Sequence, residues 1–395
     1  MVSRRIYVDN AATSYPKPPA VLDAMVRYTR DLGASPGRGA YRESRQAGEI
    51  LWRCRQRMAR LVNAELPEHL VFTANATDAL NLAIHGLLRE GDHAITTRLD
   101  HNSVLRPLSE LQNRGVIEQT RVACDPGTGL VDPDDIRSAM TPRTRLVVVA
   151  HGSNVSGTLQ PIAEIAKVAH EAGAIFLVDA AQSVGHVPID VRNEGIDLLA
   201  CPGHKGLLGP LGTGVLYIRP GLEEQLRTLR QGGTGSASEL DVQPAFLPDK
   251  YEPGSHNALG IAGLSEGLAY LLERGVSNLW DHEQRLVDAM LRELDRDLPG
   301  LELFGPPGRE HRCAVFSIRV AGFDRPQELS DALEERFGLL TRSGLHCAPL
   351  AHQTFGTYSR GGTTRLSFGA FNTEKDVAVV GTALETLCRE RSCAA

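Results

Sequence analysis

The chain has 395 residues, which at roughly 100–200 residues per domain predicts two or three domains. With 42% hydrophobic residues, 23% charged residues and a net charge of -6, its composition is globular and lacks the basic excess that nucleic-acid binding requires. No apolar run is long enough to span a membrane, and seven scattered cysteines favour a reducing cytoplasm over disulfides or a structural zinc site.

The first elements in chain order are two predicted helices, over residues 18–32 and 41–63. Seven short apolar or β-branched runs then alternate with helical patterns, which predicts an α/β fold with a mostly parallel, seven-stranded sheet covered on both faces. The predicted strands span residues 70–73, 94–97, 116–122, 145–150, 175–178, 198–201 and 214–218. The helical patterns span residues 78–88, 103–113, 132–140 and 162–172.

A second region follows a Gly-, Ser- and Pro-rich stretch at residues 230–255, which is either a solvated linker or an ordered binding loop. Its elements predict a smaller α+β domain. They are helices at 256–274, 277–298, 326–337 and from 373, strands at 314–319, 339–341 and 364–368, and a glycine-rich loop at 342–363. We therefore predict a large domain over residues 16–255 and a small domain made of residues 1–15 and 256–395.

The basic residues comprise only five lysines beside 37 arginines, so amine chemistry has five possible places. Four of the lysines are interpreted as solvent-facing charges: Lys17, Lys167, Lys250 and Lys375. Lys205 differs, because it follows a predicted buried strand and lies among glycines and apolar side chains. It is either an unusual charge in a turn or a desolvated amine, whose lowered pKa would make it a nucleophile toward an aldehyde.

Polar residues at other strand ends each have two interpretations. An aldehyde cofactor such as pyridoxal phosphate needs an acid for its ring nitrogen and a seat for its phosphate. Asp179 could supply the acid or cap a turn, and Thr77 could help to bind the phosphate or only cap a helix. His101 could stack on the ring and move protons or be a surface residue. Asn154 and Gln182 could bind a cofactor hydroxyl or only form turns.

The small domain contains candidate substrate residues. Arg365 and Arg342 could clamp a carboxylate, although with so many arginines each could equally be a surface charge. Cys347 lies in the glycine-rich loop beside His346 and is either a reactive thiol or an incidental one. The other six cysteines have the context of structural residues.

Together these motifs resemble the class V aminotransferases and, within that group, the cysteine desulfurases and selenocysteine lyases. The resemblance extends over nearly the whole chain, in order, and rests on Asp9-Asn10-Ala11-Ala12-Thr13, Asp100-His101-Asn102, residues 151–158, residues 178–183, Gly203-His204-Lys205 and residues 342–348. It implies a fold type I pyridoxal-phosphate transferase that converts L-cysteine to L-alanine.

The resemblance also implies how the cofactor is held. Lys205 would bind it covalently, and Asp179 would partner its pyridine nitrogen. Gln182 would reach its phenolic oxygen, while His101 would stack on its ring and act as an acid–base group. Ala76 and Asn154 would be further contacts. The phosphate would be held by Thr77, His204 and, from the neighbouring subunit of a homodimer, Ser255.

For the substrate, the resemblance assigns the carboxylate to Arg365, assisted by Asn154 and Arg342. Cys347 would take up the sulfur as a persulfide, to be passed to a sulfur-acceptor protein. Two positions depart from the family: Ala76 and Pro202 stand where members usually have hydroxyl residues that contact the phosphate.

Two further hypotheses remain at this stage. One keeps the cofactor but makes the protein a selenocysteine lyase, another C–S lyase or an aminotransferase, in which Cys347 would be dispensable. The other is a non-catalytic cofactor-binding protein that relays sulfur, which the missing phosphate hydroxyls would favour. In all of them the protein is expected to be cytoplasmic, to act without a metal and to bind neither membrane nor nucleic acid.

Overall fold

The computed structural model describes residues 5–37 and 39–393. The strands in these ranges are β1 (Ile6–Tyr7), β2 (Leu70–Thr73), β3 (His93–Thr97), β4 (Glu118–Val122), β5 (Thr144–Ala150), β6 (Ile175–Asp179), β7 (Leu198–Pro202), β8 (Gly214–Ile218), β9 (Leu301–Phe304), β10 (Val315–Val320), β11 (Leu339–Leu340), β12 (Arg342–Gly344) and β13 (Thr363–Ser367). The α-helices are α1 (Pro19–Arg27), α2 (Arg42–Val62), α3 (Ala76–Leu87), α4 (Asn102–Asn113), α5 (Pro133–Ser138), α6 (Ile162–Glu171), α7 (Ala258–Arg274), α8 (Val276–Leu294), α9 (Pro326–Phe337), α10 (Pro349–Thr354) and α11 (Glu374–Ser392). No helix among the described residues is long and apolar enough to cross a bilayer.

The central sheet has seven strands in the order β2-β8-β7-β6-β5-β3-β4. Its pairings are parallel except at β8, which runs antiparallel to both β7 and β2. Alternate side chains enter cores on opposite faces: Val147 and Phe176 lie in one, Leu146 and Leu177 in the other. This double burial explains the continuous apolar runs of the sequence and confirms the predicted mostly parallel sheet.

A smaller antiparallel sheet has the order β12-β13-β10-β9. It shares a core with α8, α9 and α11, which bury residues such as Val287, Leu333 and Leu384 against Phe316 of β10. The strand β1 joins this part of the molecule by pairing in parallel with β11. The predicted fold class, an α/β fold with a smaller α+β unit, is confirmed.

The helix α7 packs with the central sheet and α1 rather than with the small sheet. Leu264 and Leu268 belong to the same core as the central sheet, and Gly263 lies so close to Met25 of α1 that a Cβ there would be 2.9 Å from its side chain. The predicted small domain of residues 1–15 and 256–395 includes α7, and its first four residues lie outside the described ranges. The division into two domains stays a prediction.

The predicted glycine-rich loop at 342–363 is wrong in part, because it contains β12 and α10. Three residues of β12 pair with β13, a contact between distant segments that no local pattern reveals. The helix α10 begins at Pro349, whose fixed φ suits the first helical position.

The carboxylate of Asp100 ties the ends of two central strands together. One oxygen accepts hydrogen bonds from Thr96 Oγ1 (2.8 Å), Thr97 N (2.7 Å) and Thr97 Oγ1 (2.8 Å) at the end of β3. The other accepts from Ala150 N of β5 (2.6 Å). Burial raises the pKa of Asp100 to about 6, against the lowering effect of these donors. These hydrogen bonds therefore fix the backbone position of the next residue, His101.

We expect Asp100→Asn to lower the free energy of unfolding by about 2–3 kcal/mol. Whichever way the amide is turned, its NH₂ group faces backbone or hydroxyl donors that the carboxylate accepts from. Denaturant unfolding checks this, with Glu90→Gln at an exposed position as the control. Equal stability of the two variants would contradict the role given to Asp100.

Candidate active site

A cavity of about 230 Å³ opens where β5, β6 and β7 end and α3 begins. Parallel strands place the residues that follow them at one edge of the sheet, where ligands bind in open α/β sheets. The structure brings most of the predicted cofactor residues to this cavity: Ala76, Thr77, His101, Asn154, Asp179, Gln182, His204 and Lys205.

The half-buried side chain of Lys205 faces the same cavity as the buried carboxylate of Asp179. Burial lowers the pKa of Lys205 to about 8; Asp179 opposes this shift, whereas Arg365 and Arg342 add to it. Burial raises the pKa of Asp179, while the N–H of Ala181, 3.0 Å from Oδ1, and the charge of Lys205 lower it. Asp179 thus both caps its turn and faces the cavity. A substantial fraction of Lys205 is the neutral, nucleophilic amine near pH 8.

A chain of hydrogen bonds joins His101 to the start of α3. Nδ1 of His101 accepts from Ser103 N (3.1 Å) and lies 2.9 Å from Ser103 Oγ, which in turn is 2.8 Å from Thr77 Oγ1. Burial, and next the charges of Lys205 and Arg342, lower the pKa of His101 to about 4. The imidazole is therefore neutral at pH 7, and because Nδ1 is an acceptor we assign its proton to Nε2.

The first turn of α3 provides the anion seat expected of a phosphate site. Asn75, not Thr77, caps the helix, accepting from Asp78 N (2.9 Å), and both Ala76 and Thr77 line the cavity. The backbone N–H groups of a first turn have no partner within the helix. A Cβ on Gly214 would lie 2.6 Å from the backbone of Asn75, so only glycine allows β8 to begin this close to the turn.

His204 contributes an orphaned polar atom to the same cavity. Its Nδ1 is buried and has no hydrogen-bond partner among residues 5–37 and 39–393. Burial, then Lys205 and Lys17, lower its pKa to about 4. A buried polar atom without a partner is costly, and a bound phosphate oxygen would supply one. Amine, carboxylate, anion seat and orphaned imidazole together fit pyridoxal phosphate.

Arg365 is buried at the junction of the two sheets. Its Nη2 donates to Asp9 Oδ1 (2.6 Å) and its Nη1 to Asn154 O (3.0 Å). Its Nε is buried and, in the part of the chain that the structure describes, has no partner. Arg365 does not line the cavity, but Asn154 joins it to one of the residues that do. The guanidinium has five N–H donors, so those not used by Asp9 and Asn154, including that of Nε, are left for a substrate carboxylate.

Cys347 is exposed and lies over the start of α4. Its carbonyl accepts from Asn102 N (2.8 Å), and the carbonyl of His346 accepts from Asn154 Nδ2 (2.6 Å). Nη2 of Arg342 is 4.0 Å from the sulfur. His346 and Cys347 have φ values of 48° and 59°, a left-handed pair that costs non-glycine residues energy and is typical of functional turns.

Ser255 is not brought to the cavity of Lys205. It is exposed in a separate depression, at the end of the segment 230–255. That end is an ordered loop, because the buried Glu252 pairs with Arg55 and accepts from Phe72 N (2.6 Å). Any role of Ser255 in a neighbouring subunit stays a prediction.

For two of the four lysines, the prediction of a solvent-facing side chain is wrong. Lys17 is half-buried and donates to the backbone carbonyl that precedes Lys205, and Lys250 donates to a backbone carbonyl elsewhere. Lys167 and Lys375 are exposed, as predicted. The proline-rich sequence around Lys17 gave no signal of its burial, since the carbonyl that it contacts, that of His204, is distant in the chain.

Sequence reasoning also missed Ser103 and did not give Asp9 a role of its own. Ser103 lines the cavity, and its position two residues after His101 at a predicted helix start could have indicated this. The described ranges contain no group of three or more His, Cys, Asp or Glu side chains that could hold a metal.

The family model described as aminotransferase class-V matches residues 6–380. The chain belongs to the class V aminotransferase family. It is 36% identical over 386 residues to a probable cysteine desulfurase of Methanothermobacter thermautotrophicus, and the match covers 97% of this chain and 94% of that relative. It is 32% identical over 392 residues to a cysteine desulfurase of Escherichia coli O157:H7, over 97% and 93% of the two chains.

The solved apo structure of a cysteine desulfurase from Thermococcus onnurineus superposes on this chain with a TM-score of 0.90. It is 32% identical, and the match covers 98% of this chain and 95% of that one. The predicted resemblance to the class V cysteine desulfurases and the fold type I architecture are confirmed.

We expect Asp9→Asn to lower the free energy of unfolding by about 3 kcal/mol, because it leaves the buried guanidinium of Arg365 without its counter-charge. Thermal and denaturant unfolding measure this. Glu302→Gln is the matched control: it breaks an exposed pair with Arg360, expected to contribute only about 0–1 kcal/mol. If both variants lower the free energy of unfolding by the same small amount, Asp9 does not stabilise Arg365.

Proposed function

We propose that this class V family member is a pyridoxal-phosphate-dependent cysteine desulfurase that converts L-cysteine to L-alanine and leaves a persulfide on Cys347. The observation that carries the proposal is the cavity in which a desolvated lysine amine, a buried carboxylate and a helix N-terminus face one another. The cysteine desulfurases similar to this chain over nearly its full length support the same conclusion.

Pyridoxal phosphate, when bound, supplies an electron-withdrawing ring that takes up the electrons of the bond broken at the substrate. Lys205 attaches to its aldehyde carbon through an amine that is partly neutral near pH 8. Asp179 would hold a proton at the ring nitrogen, and Gln182 would serve the phenolic oxygen; both line the cavity. The amide of Gln182 lies near the N-terminal segment, donating to Ala11 O (2.9 Å).

Phosphate binding combines the first turn of α3 with side chains from two other elements. Thr77 supplies a hydroxyl and His204 its unpartnered Nδ1. Ser103 supplies a second hydroxyl 2.8 Å from that of Thr77, and we propose that it offsets the hydroxyls missing at Ala76 and Pro202. This removes the main reason to prefer a non-catalytic sulfur-relay protein.

The substrate end uses the residues of the small sheet. Arg365 binds the carboxylate through its free Nε, with Asn154 and Arg342 assisting, and His101 moves protons through Nε2. The sulfur of Cys347, deprotonated, forms an S–S bond to the substrate sulfur while the C–S bond breaks. The electrons of that bond leave with the carbon, which gains a proton and becomes alanine, so that Cys347 carries one additional sulfur.

Partners and location are part of the proposal. We propose a homodimer in which Ser255 serves the neighbouring subunit's phosphate, a sulfur-acceptor protein that takes the persulfide, and a cytoplasmic site of action. The exposure of both Ser255 and Cys347 is compatible with contacts to other chains.

Lys205→Ala is expected to remove the visible absorption that the wild type shows with bound cofactor, because the covalent link needs the amine. Absorption spectra with added pyridoxal phosphate check this, and Lys375→Ala, at an exposed position, is expected to keep the band. A wild type that stays colourless with added cofactor would overturn the proposed function.

Cys347→Ala is expected to reduce persulfide formation and sulfide release from L-cysteine to background while the visible band persists. The matched control is Cys393→Ala, which removes the other exposed cysteine. Sulfide assays under a reductant and mass spectrometry of the persulfide measure the effect.

The Cys347→Ala variant also distinguishes the alternative lyases from a desulfurase. Normal sulfide release by Cys347→Ala would rule out Cys347 as the sulfur acceptor and favour a C–S lyase. Selenide release from selenocysteine by that variant, with loss of cysteine turnover, would instead identify selenocysteine as a substrate that does not need the thiol.

A further inference from the structure

The N-terminal segment from Asp9 to Lys17 connects the two ends of the candidate active site. At one end Asp9 pairs with the buried Arg365. At the other end the segment contacts the backbone of His204 and Lys205. It thus joins the substrate arginine of the small sheet to the cofactor lysine of the large one.

Most contacts of the N-terminal segment with the backbone near Lys205 are made to the carbonyl of His204. This carbonyl accepts hydrogen bonds from Ser14 N (3.0 Å), Thr13 Oγ1 (3.0 Å), Ser14 Oγ (3.2 Å) and Lys17 Nζ (2.7 Å). The next carbonyl, of Lys205 itself, accepts from Ser14 Oγ (2.9 Å). The peptide groups on both sides of the Lys205 Cα are therefore held by one short stretch of chain.

Lys17 makes the shortest of the four hydrogen bonds to the His204 carbonyl, and it is the donor that can carry a charge. Hydrogen bonds from a charged donor are shorter and stronger than neutral ones. The ammonium also donates to Ser14 Oγ (2.7 Å), which orients that hydroxyl toward Lys205 O. One cation thus supports both carbonyls.

The surroundings of Lys17 are unlike those of a surface lysine. The side chain is half-buried between two prolines of the sequence, Pro16 and Pro18, which restrict the backbone that carries it. Burial lowers the pKa of Lys17 to about 8. Desolvating an ammonium is unfavourable, so contacts must offset it. The described contacts that do so all lead to the peptide ahead of Lys205.

We propose that Lys17 is a positioning residue for Lys205. Its ammonium fixes the peptide between His204 and Lys205, which aligns the Lys205 amine for reaction with the cofactor aldehyde. The inference rests on the proposed function. Lys17 touches neither cofactor nor substrate in this role, and it acts only through the backbone of the lysine.

The consequence concerns the rate of cofactor capture. A reaction between two groups in a cavity depends strongly on their alignment, and small displacements cost large factors in rate. Loss of the charged donor leaves the His204 carbonyl with only neutral donors, from Thr13 and Ser14, and the Ser14 hydroxyl without its orienting cation. We expect Lys17→Met to slow covalent capture of pyridoxal phosphate about tenfold.

The experiment uses full-length protein stripped of cofactor and mixed with pyridoxal phosphate at 20 °C. The growth of the visible band gives the rate constant of capture, and thermal unfolding of the cofactor-free protein gives its stability. Lys17→Arg, which keeps a charged donor, is expected to recover most of the rate, and Lys167→Met is the matched control at an exposed position.

A rate for Lys17→Met within twofold of wild type would overturn the proposal, as would a lowered melting temperature with unchanged capture, which marks a purely structural contact. Should Lys17→Met not fold, Ser14→Ala tests the same peptide and is expected to slow capture; an unchanged rate there would equally overturn it. A wild type that captures no cofactor refutes the proposed function itself, whereas normal wild-type capture with an unaffected Lys17→Met refutes only the role of Lys17.

Discussion

Desolvation of the half-buried Lys205 amine is the constraint on which the candidate active site depends. A charged ammonium is costly away from water, so burial shifts the amine toward its neutral form and brings its pKa to about 8. Asp179 limits that shift, and without a nearby carboxylate the amine would be less basic still. The same burial that makes the lysine nucleophilic therefore needs a carboxylate beside it, and that carboxylate suits a ring nitrogen.

Holding this amine in place requires parts of the chain that are far apart in sequence. Asp100 fixes the edge of the large sheet, and the N-terminal segment holds the backbone of Lys205. Asn154 links the cavity to the small sheet twice, through its carbonyl to Arg365 and through its side chain to the carbonyl of His346. The cavity is thus a junction whose geometry depends on how the two sheets pack.

The sequence allowed the large sheet and the cofactor residues to be predicted because both follow local rules. Buried parallel strands give continuous apolar runs, and polar residues after such strands converge at one edge. The pairing of β12 with β13 could not be predicted in this way, because the intervening segment gives no hairpin signal for Arg342 to meet Arg365. The burial of Lys17 could not either, because it depends on the carbonyl of His204 in the large domain. Ser103 lies between these cases: its position at a helix start was visible, but its bond to Thr77 was not.

Cations dominate the electrostatics of the candidate site, and they explain which ligands it takes. Arg365 and Arg342 both add to the effect of burial in lowering the pKa values of Lys205 and His101. Burial, together with the excess of positive charge, keeps His101 neutral. The positive charge also favours anions, of which the proposed function supplies two: a phosphate and a substrate carboxylate. Each anion that binds offsets part of that field and so raises the pKa of nearby bases. Proton uptake by His101 is consequently easiest when both ligands are present, which is the state in which an acid–base group is needed.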